Sequence, residues 1–279
     1  MRITEAQLRT VIRAILLREE QNEPGAKRKI YVLVGPPSVG KSNWINMNFN
    51  PGEAYIISRD KIAEDIAKSM GWTYDDMFEK PPAGAKLGDV DPKFGEVVPS
   101  PAYMTWQPLS YSGVVEANKE IGRAFGARVA GAADSGQDII NDMTNMNAGS
   151  RKSALAAIKG REGEFEKIAV IFPFEGAESA VKRVAQWRAK KAKARGESKT
   201  VPPDAIDRMM GAYEPVTPEE GFDDVRVFDN RAKLRDLAAQ ADAEDAAEAE
   251  AAATGDAAPE TTTLPEGWAR RWSQITSLI

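Results

Sequence analysis

Apolar and polar positions change period along the chain, and the changes mark out its elements. Leu8, Val11, Ile12, Ile15 and Leu16 recur at helical spacing, Thr4 and Gln7 form a capping box, and Ile3 and Leu8 a hydrophobic staple. This predicts an amphipathic helix within residues 1–22, followed by a polar linker over 23–28. The run Ile30 to Val34 is continuously apolar, as a strand buried on both faces must be, and a helix is predicted from Lys41 to Asn48. A second strand over Ala54 to Ser58 leads into a helix from Asp60 to Met70. Helical periodicity resumes from Val114 to Ala133. Then come a strand at Asp138 to Asn141, a helix over Ser150 to Lys159 and a strand at Lys167 to Phe172. The basic segment Ala177 to Lys193 and Asp204 to Ala212 predict two further helices, and Val225 to Phe228 a last strand. Alternating strands and helices of this kind predict an α/β domain: a parallel sheet with helices on both faces.

Three stretches break the alternation. Residues 71–113 are rich in Pro, Gly and aromatic residues and predict a long, loop-like insertion in the domain, which spans 29–237. Residues 188–203 end in Arg195-Gly196 and Val201-Pro202, the pattern of a hinged lid. Residues 238–263 are dominated by Ala, Asp and Glu, a composition that predicts a partly helical or disordered linker. Beyond it, within 264–279, Trp268, Trp272, Ile275 and Ile279 return to helical spacing beside Arg270 and Arg271, which predicts a short amphipathic tail.

Composition then narrows the chemistry. The chain of 279 residues is 42% hydrophobic, enough for one α/β core. No apolar run reaches the roughly 18 to 20 residues that span a bilayer, and the beginning of the chain lacks a signal-peptide core, so a cytoplasmic protein with no membrane association is expected. Cys and His are absent. That removes disulfides, thiolate catalysis, the usual zinc sites and imidazole acid/base chemistry, and leaves carboxylate, Lys or Tyr to accept a proton. The net charge of -5 argues against a surface coated for duplex nucleic acid, without excluding a local basic groove.

The segment Gly35-Pro36-Pro37-Ser38-Val39-Gly40-Lys41-Ser42 fits Gly-x-x-x-x-Gly-Lys-Ser between an apolar strand and a helix, where a phosphate-binding P-loop belongs. Glycines let backbone N–H groups converge on phosphate, at the positive end of a helix. All eight residues are therefore candidates for binding a nucleoside triphosphate, with Lys41 on the β- and γ-phosphates and the Ser42 hydroxyl on magnesium. This makes the fold class a P-loop kinase three-layer sandwich with helical or disordered tails. What separates kinases from switches and motors is the residue that positions the attacking oxygen. The second strand ends in Ser58-Arg59-Asp60, at the edge where ligands of parallel sheets bind, so Asp60 is placed to take the proton of a substrate hydroxyl. The same position suits a helix N-cap, and the two roles can coexist. Asp142, Thr144 and Asn145 follow the strand at Asp138 and are expected to face the substrate or metal, or to hold the loop. Lys182, Arg183, Arg188, Lys190, Lys191, Lys193, Arg195 and Lys199 form a basic run. It reads either as a solvated helix face or as a lid whose Arg195 spreads charge off the transferring phosphoryl group.

Together these motifs resemble the kinase domain of phage polynucleotide 5'-kinases over roughly residues 29–229. Lys41 and Ser42 followed by a strand ending Arg59-Asp60, then Asp142-Met143-Thr144-Asn145, then Arg195-Gly196 with Lys199 and Val201-Pro202, occur in the family's order. Tyr213-Glu214-Pro215 through Glu220-Gly221-Phe222 is similar to the end of these domains. The resemblance implies ATP and Mg2+ as cofactors, Asp60 as general base, and Lys41 and Arg195 on the ATP phosphates; their places at the strand ends make Arg59, Asp60, Asp142, Thr144 and Asn145 the candidate substrate-binding residues. It also implies transfer of the γ-phosphate to the 5'-hydroxyl of a single-stranded or nicked DNA or RNA end. No phosphatase motif accompanies it.

One departure bears on the acceptor. Where the family carries an arginine, three residues after its catalytic aspartate, this chain has Ala63. Phosphate recognition then falls to Arg59, Lys61 or the basic helix, or else the acceptor differs. A kinase of a small hydroxyl-bearing metabolite or nucleotide sugar, as in zeta-toxin-like relatives, is the second reading. A third is a nucleotide-binding phage assembly or packaging factor whose amphipathic ends dock on a protein partner. The aromatic residues of 71–113 either stack nucleic-acid bases or fold over the sheet.

Overall fold

The structure, a computed structural model, describes residues 27–104, 108–195, 197 and 199–254. The amphipathic segments expected within 1–22 and 264–279 lie outside the described residues. Strand β1 (Arg28–Val34) runs into a tight loop and helix α1 (Lys41–Asn48); β2 (Ala54–Ile57) runs into α2 (Arg59–Ser69). Three short strands, β3 (Val90–Asp91), β4 (Gly95–Pro99) and β5 (Leu109–Tyr111), precede the long α3 (Ser112–Ala130). Then follow β6 (Asp138–Asn141), α4 (Ala148–Leu155), β7 (Phe165–Ile171), α5 (Glu178–Ala194), α6 (Pro203–Gly211), β8 (Asp224–Val227) and α7 (Arg231–Thr254).

Five strands form one sheet in the order β2-β6-β1-β7-β8, and every pairing in it is parallel. The continuous apolar run of β1 explains its central place. Ile30, Val32 and Val34 point to one face, where Ile139 and Phe165 join them, and Tyr31 and Leu33 point to the other, with Ile140, Ile168 and Val170. Both faces are sealed. Trp44 of α1, Val181 and Val184 of α5, Ile206 of α6 and Leu234 of α7 cover the Tyr31 face, and Phe125 and Val129 of α3 with Ala154 of α4 cover the other. This is the three-layer α/β architecture that the alternating pattern predicts. None of the helices among the described residues is long and apolar enough to cross a membrane.

Residues 71–113 are less loop-like than the sequence suggests. β3, β4 and β5 form an antiparallel sheet, with Val97 opposite Tyr111. Strands of two to five residues carry too few alternations to stand out in a sequence. Burial holds them: Val97, Tyr111, Val114 and Val115 form a small core at the start of α3, and Phe94 lies against Trp72 and Tyr111. The chain divides into two compact units, Met1–Ala238 and Ala239–Ile279, and the described part of the second continues helix α7.

Candidate active site

The C-terminal ends of β1, β2 and β6 bring the predicted polar residues to one edge of the sheet, where parallel topology concentrates ligand sites. The loop after β1 is built as its glycines require. Gly40, at φ 103°, is the N-cap of α1, and a Cβ there would lie 2.6 Å from the Asn230 side-chain nitrogen. A Cβ on Gly35 would lie 3.0 Å from that of Phe172, at the end of β7. Ser38 adopts φ 67°, so the loop turns through left-handed backbone without a glycine at that point. Only a glycine combines the Gly40 torsion with that clearance. Gly40→Ala is therefore expected to weaken ATP binding by about ten- to a hundredfold, the equivalent of a strained φ, measured by equilibrium titration. Unchanged affinity would mean that the loop tolerates a side chain there.

Lys41 Nζ donates to the carbonyls of Gly35, at 2.7 Å, and Pro36, at 3.1 Å. Burial lowers its pKa to about 8, opposed by the charges of Asp142 and Asp60, and it remains largely protonated at neutral pH. Ser42 is exposed in the first turn of α1, and Pro36, Pro37 and Val39 complete the curl. These features fit the polyphosphate of a nucleotide: a glycine-turned loop, a helix N-terminus and an ammonium group adjoin one another.

Asp60 is not the N-cap of α2. Ser58 is, its Oγ accepting from the Lys61 amide, and Asp60 lies in the first turn with its carboxylate free of capping duty. Its two oxygens are taken up by other residues. Tyr74 Oη donates to Oδ1 at 3.2 Å, and Lys199 Nζ lies 3.4 Å from Oδ2. Lys199 also reaches Glu64 Oε1 at 2.6 Å, and the neighbouring Thr200 amide donates to Asp75 at 2.8 Å. The segment between α5 and α6 thus touches α2 beside Asp60, and Asp60, Asp142, Lys41 and Lys199 interact electrostatically.

Asp142 is set by two backbone ties: its own amide donates to Ile57 O at 2.9 Å, and the Gly35 amide donates to Thr144 O at 2.9 Å. Burial raises its pKa, while Lys41 pulls the other way. Thr144 also borders an open cleft of about 400 Å³ whose other walls include Met146, Ser150, Arg208 and Met209. Asn145 has a different task. It adopts φ 48°, is 3% exposed, and donates its amide to Leu33 O at 2.8 Å and Asn141 Oδ1 at 3.0 Å. Of the two roles its sequence position allows, the side chain performs the holding of the loop.

The basic segment is rearranged relative to expectation. Residues 188–194 of the expected lid are helical and belong to α5, which leaves 195–202 between α5 and α6. Arg195 is largely exposed and pairs with Glu197 at 3.2 Å. Arg188 reaches the phosphate loop, its Nη1 donating to Ser38 O at 3.4 Å. A signal for this exists in the sequence: Arg188 is four residues beyond Val184 and seven beyond Val181, on the face that α5 turns to the core. Arg59 is exposed, and Lys61 pairs with Asp65 at 3.1 Å. Ala63 is buried against Met77, Ala117 and Ile121 between α2 and α3, so that position faces packing and not the site.

Two residues that carry the site had no signal of their own. Asn230, beyond β8, donates its side-chain amide to Val39 O at 3.2 Å. Arg151 of α4 is wholly buried and makes a bidentate pair with Glu220, at 2.6 and 2.7 Å, while donating to the carbonyls of Asn145, Glu214 and Pro215. It joins the loop after β6 to the segment 213–220, the stretch whose sequence resembles the end of the kinase domains.

Residues 30–216 match the model of a family described as AAA domain. A solved structure from a study of the PezAT chromosomal toxin-antitoxin system of Streptococcus pneumoniae is similar over 88% of this chain and 98% of its own, at 12% identity and a TM-score of 0.38. A gluconokinase from Sinorhizobium meliloti 1021 is similar over 80% of this chain and 96% of its own, at 14% identity and a TM-score of 0.28. No curated protein matches the chain.

Proposed function

Because the chain belongs to the AAA domain family, a P-loop NTPase and kinase family, we propose that it is an ATP- and magnesium-dependent kinase whose acceptor is the 5'-hydroxyl end of a nucleic acid. The observation that supports this most is Asp60: an accessible carboxylate at the end of β2, oriented by Tyr74 and Lys199 and electrostatically linked to the phosphate-loop Lys41. Proton abstraction from an alcohol is the work such a group is suited to.

In the proposed reaction the acceptor hydroxyl oxygen forms a bond to the γ-phosphorus as its proton passes to Asp60. The bond from that phosphorus to the β–γ bridging oxygen breaks, and ADP leaves with the electron pair. Lys41 and the loop amides hold the phosphates, and Arg188 stands on the loop to take part of the developing charge. Arg195 would have to leave Glu197 to do the same. Ser42 would hold a magnesium ion, which would neutralise phosphate charge when bound, and Asp142, electrostatically coupled to the adjacent Lys41, stands on the neighbouring strand end. Asn145 and Arg151 keep Asp142 in register by fixing the loop backbone.

Transfer of label from γ-labelled ATP to a 5'-hydroxyl oligonucleotide tests the reading directly, with Lys41→Ala as the control that loses ATP binding. Absence of transfer from an enzyme that binds ATP would remove the nucleic-acid acceptor. One observation favours a small hydroxyl-bearing metabolite instead: with Ala63 buried, α2 presents no cation at the position where a substrate-phosphate clamp was expected. Including sugars, polyols and nucleosides in the acceptor panel separates the two.

A further inference from the structure

The segment between α2 and α3 places an aromatic pair beside Asp60. Tyr74 donates to the Asp60 carboxylate, and its ring lies 5.2 Å from that of Phe78, tilted by 52°. Phe78 is 48% exposed although it is a large apolar side chain one residue from Met77, which is buried in the α2–α3 packing. Lys199 Nζ lies 4.9 Å from the centroid of the Tyr74 ring, so the lid segment and the aromatic pair meet at the same carboxylate. The neighbouring polar groups are mixed in sign and largely paired with one another. Asp75 accepts from Thr200, Asp76 is paired with Lys93 at 2.8 Å, and Glu79 follows.

With Lys199 already engaged by Asp60 and Glu64, the feature these surroundings offer an acceptor is the half-exposed face of Phe78, suited to a flat, uncharged ring. We propose that Tyr74 and Phe78 form the acceptor platform of this site: the terminal nucleobase of the acceptor stacks on Phe78, and Tyr74 ties that platform to Asp60. This deepens the kinase reading and rests on it. An aromatic face holds any base, since every base offers a π surface, so recognition here depends on the presence of a base and little on which one. It also accounts for Ala63. With the acceptor held by stacking, α2 needs no phosphate clamp and is free to pack that position against α3. Tyr74 acts as a positioning residue. Its hydroxyl keeps its proton well above the ordinary tyrosine range, first through burial and then through the charge of Asp60, so it remains a donor to the base at any working pH.

The test uses the full chain, γ-labelled ATP and two acceptors: a 5'-hydroxyl oligonucleotide, and the same strand with its first residue abasic. The wild type is expected to show a KM about ten- to a hundredfold higher for the abasic strand. Phe78→Ala should raise the KM of the intact strand into the same range while kcat and ATP affinity change less than threefold, and Phe78→Trp should restore it. Tyr74→Phe keeps the ring and removes the donor, so it should lower kcat and leave KM near the wild-type value. Equal KM values for the two strands in the wild type would overturn the platform and leave the kinase reading standing. Transfer to neither strand, from protein that binds ATP, would overturn both. The abasic comparison needs no variant, and Phe78→Leu, which keeps apolar bulk without a π face, separates loss of stacking from loss of packing.

Discussion

Asp60→Asn is expected to lower kcat by about a hundred- to ten-thousandfold, the range that a positioned general base contributes, while ATP affinity changes less than threefold. Asparagine has the shape of aspartate and can still accept from Tyr74, but it cannot take a proton from the acceptor. Lys199 keeps its closer partner, Glu64 at 2.6 Å, so the contact between the α5–α6 segment and α2 survives the change. The charge of Asp60 ranks behind both burial and Asp142 in setting the state of Lys41, which is why its removal should do little to ATP binding. Single-turnover transfer together with equilibrium ATP binding measures the two effects separately. If both fell by the same factor, Asp60 would be a structural part of the nucleotide site and the base would have to be sought elsewhere.

Glu220→Gln is expected to lower the free energy of unfolding by about 3–5 kcal/mol, or roughly 6–20 °C in melting temperature for a domain of this size. The cost comes from what remains. Arg151 has no exposed surface, and without Glu220 its charge would be left among the carbonyls of Asn145, Glu214 and Pro215. The pair also carries a pH dependence of known sign. Hydrogen bonding to Arg151 holds the Glu220 carboxyl below its ordinary value, so its contribution is full above the unfolded carboxylate range and is lost as pH falls through the folded value. Wild type should therefore lose stability in acid more steeply than the variant. Denaturant unfolding at several pH values measures both, and an unchanged midpoint at neutral pH would mean that the guanidinium finds equivalent partners. Since Arg151 also holds Asn145 O, the variant should lose transfer activity before it unfolds.

The order of strands and helices, the phosphate loop and the positions of Asp60 and Asp142 at strand ends were legible in the sequence because each rests on local rules. β1 is buried on both faces and has to be apolar throughout, Gly40 occupies a backbone conformation that favours glycine, and α1 starts where its N-terminus meets the loop. Strands β3 to β5 were not legible. Each is too short for a period, and what holds them is contact with α3 rather than any property of their own residues.

The division is clearest among the cations. The sequence offers a run of Lys and Arg with nothing in composition to rank them, and family likeness points to Arg195. Chain geometry selects Arg188 for the loop carbonyl, leaves Arg195 with Glu197, sends Lys199 across to Asp60, and buries Arg151 far from that run. By itself, then, the sequence determined that a Gly-rich loop would follow β1, turn into a helix N-terminus and carry Lys41, and that a carboxylate would stand at the end of β2, because torsion and periodicity are written residue by residue. Which charges meet, and that Tyr74 reaches Asp60 with Phe78 against its ring while Ala63 is packed away, was decided only by the tertiary structure, because those pairings depend on distances between separate segments of the chain.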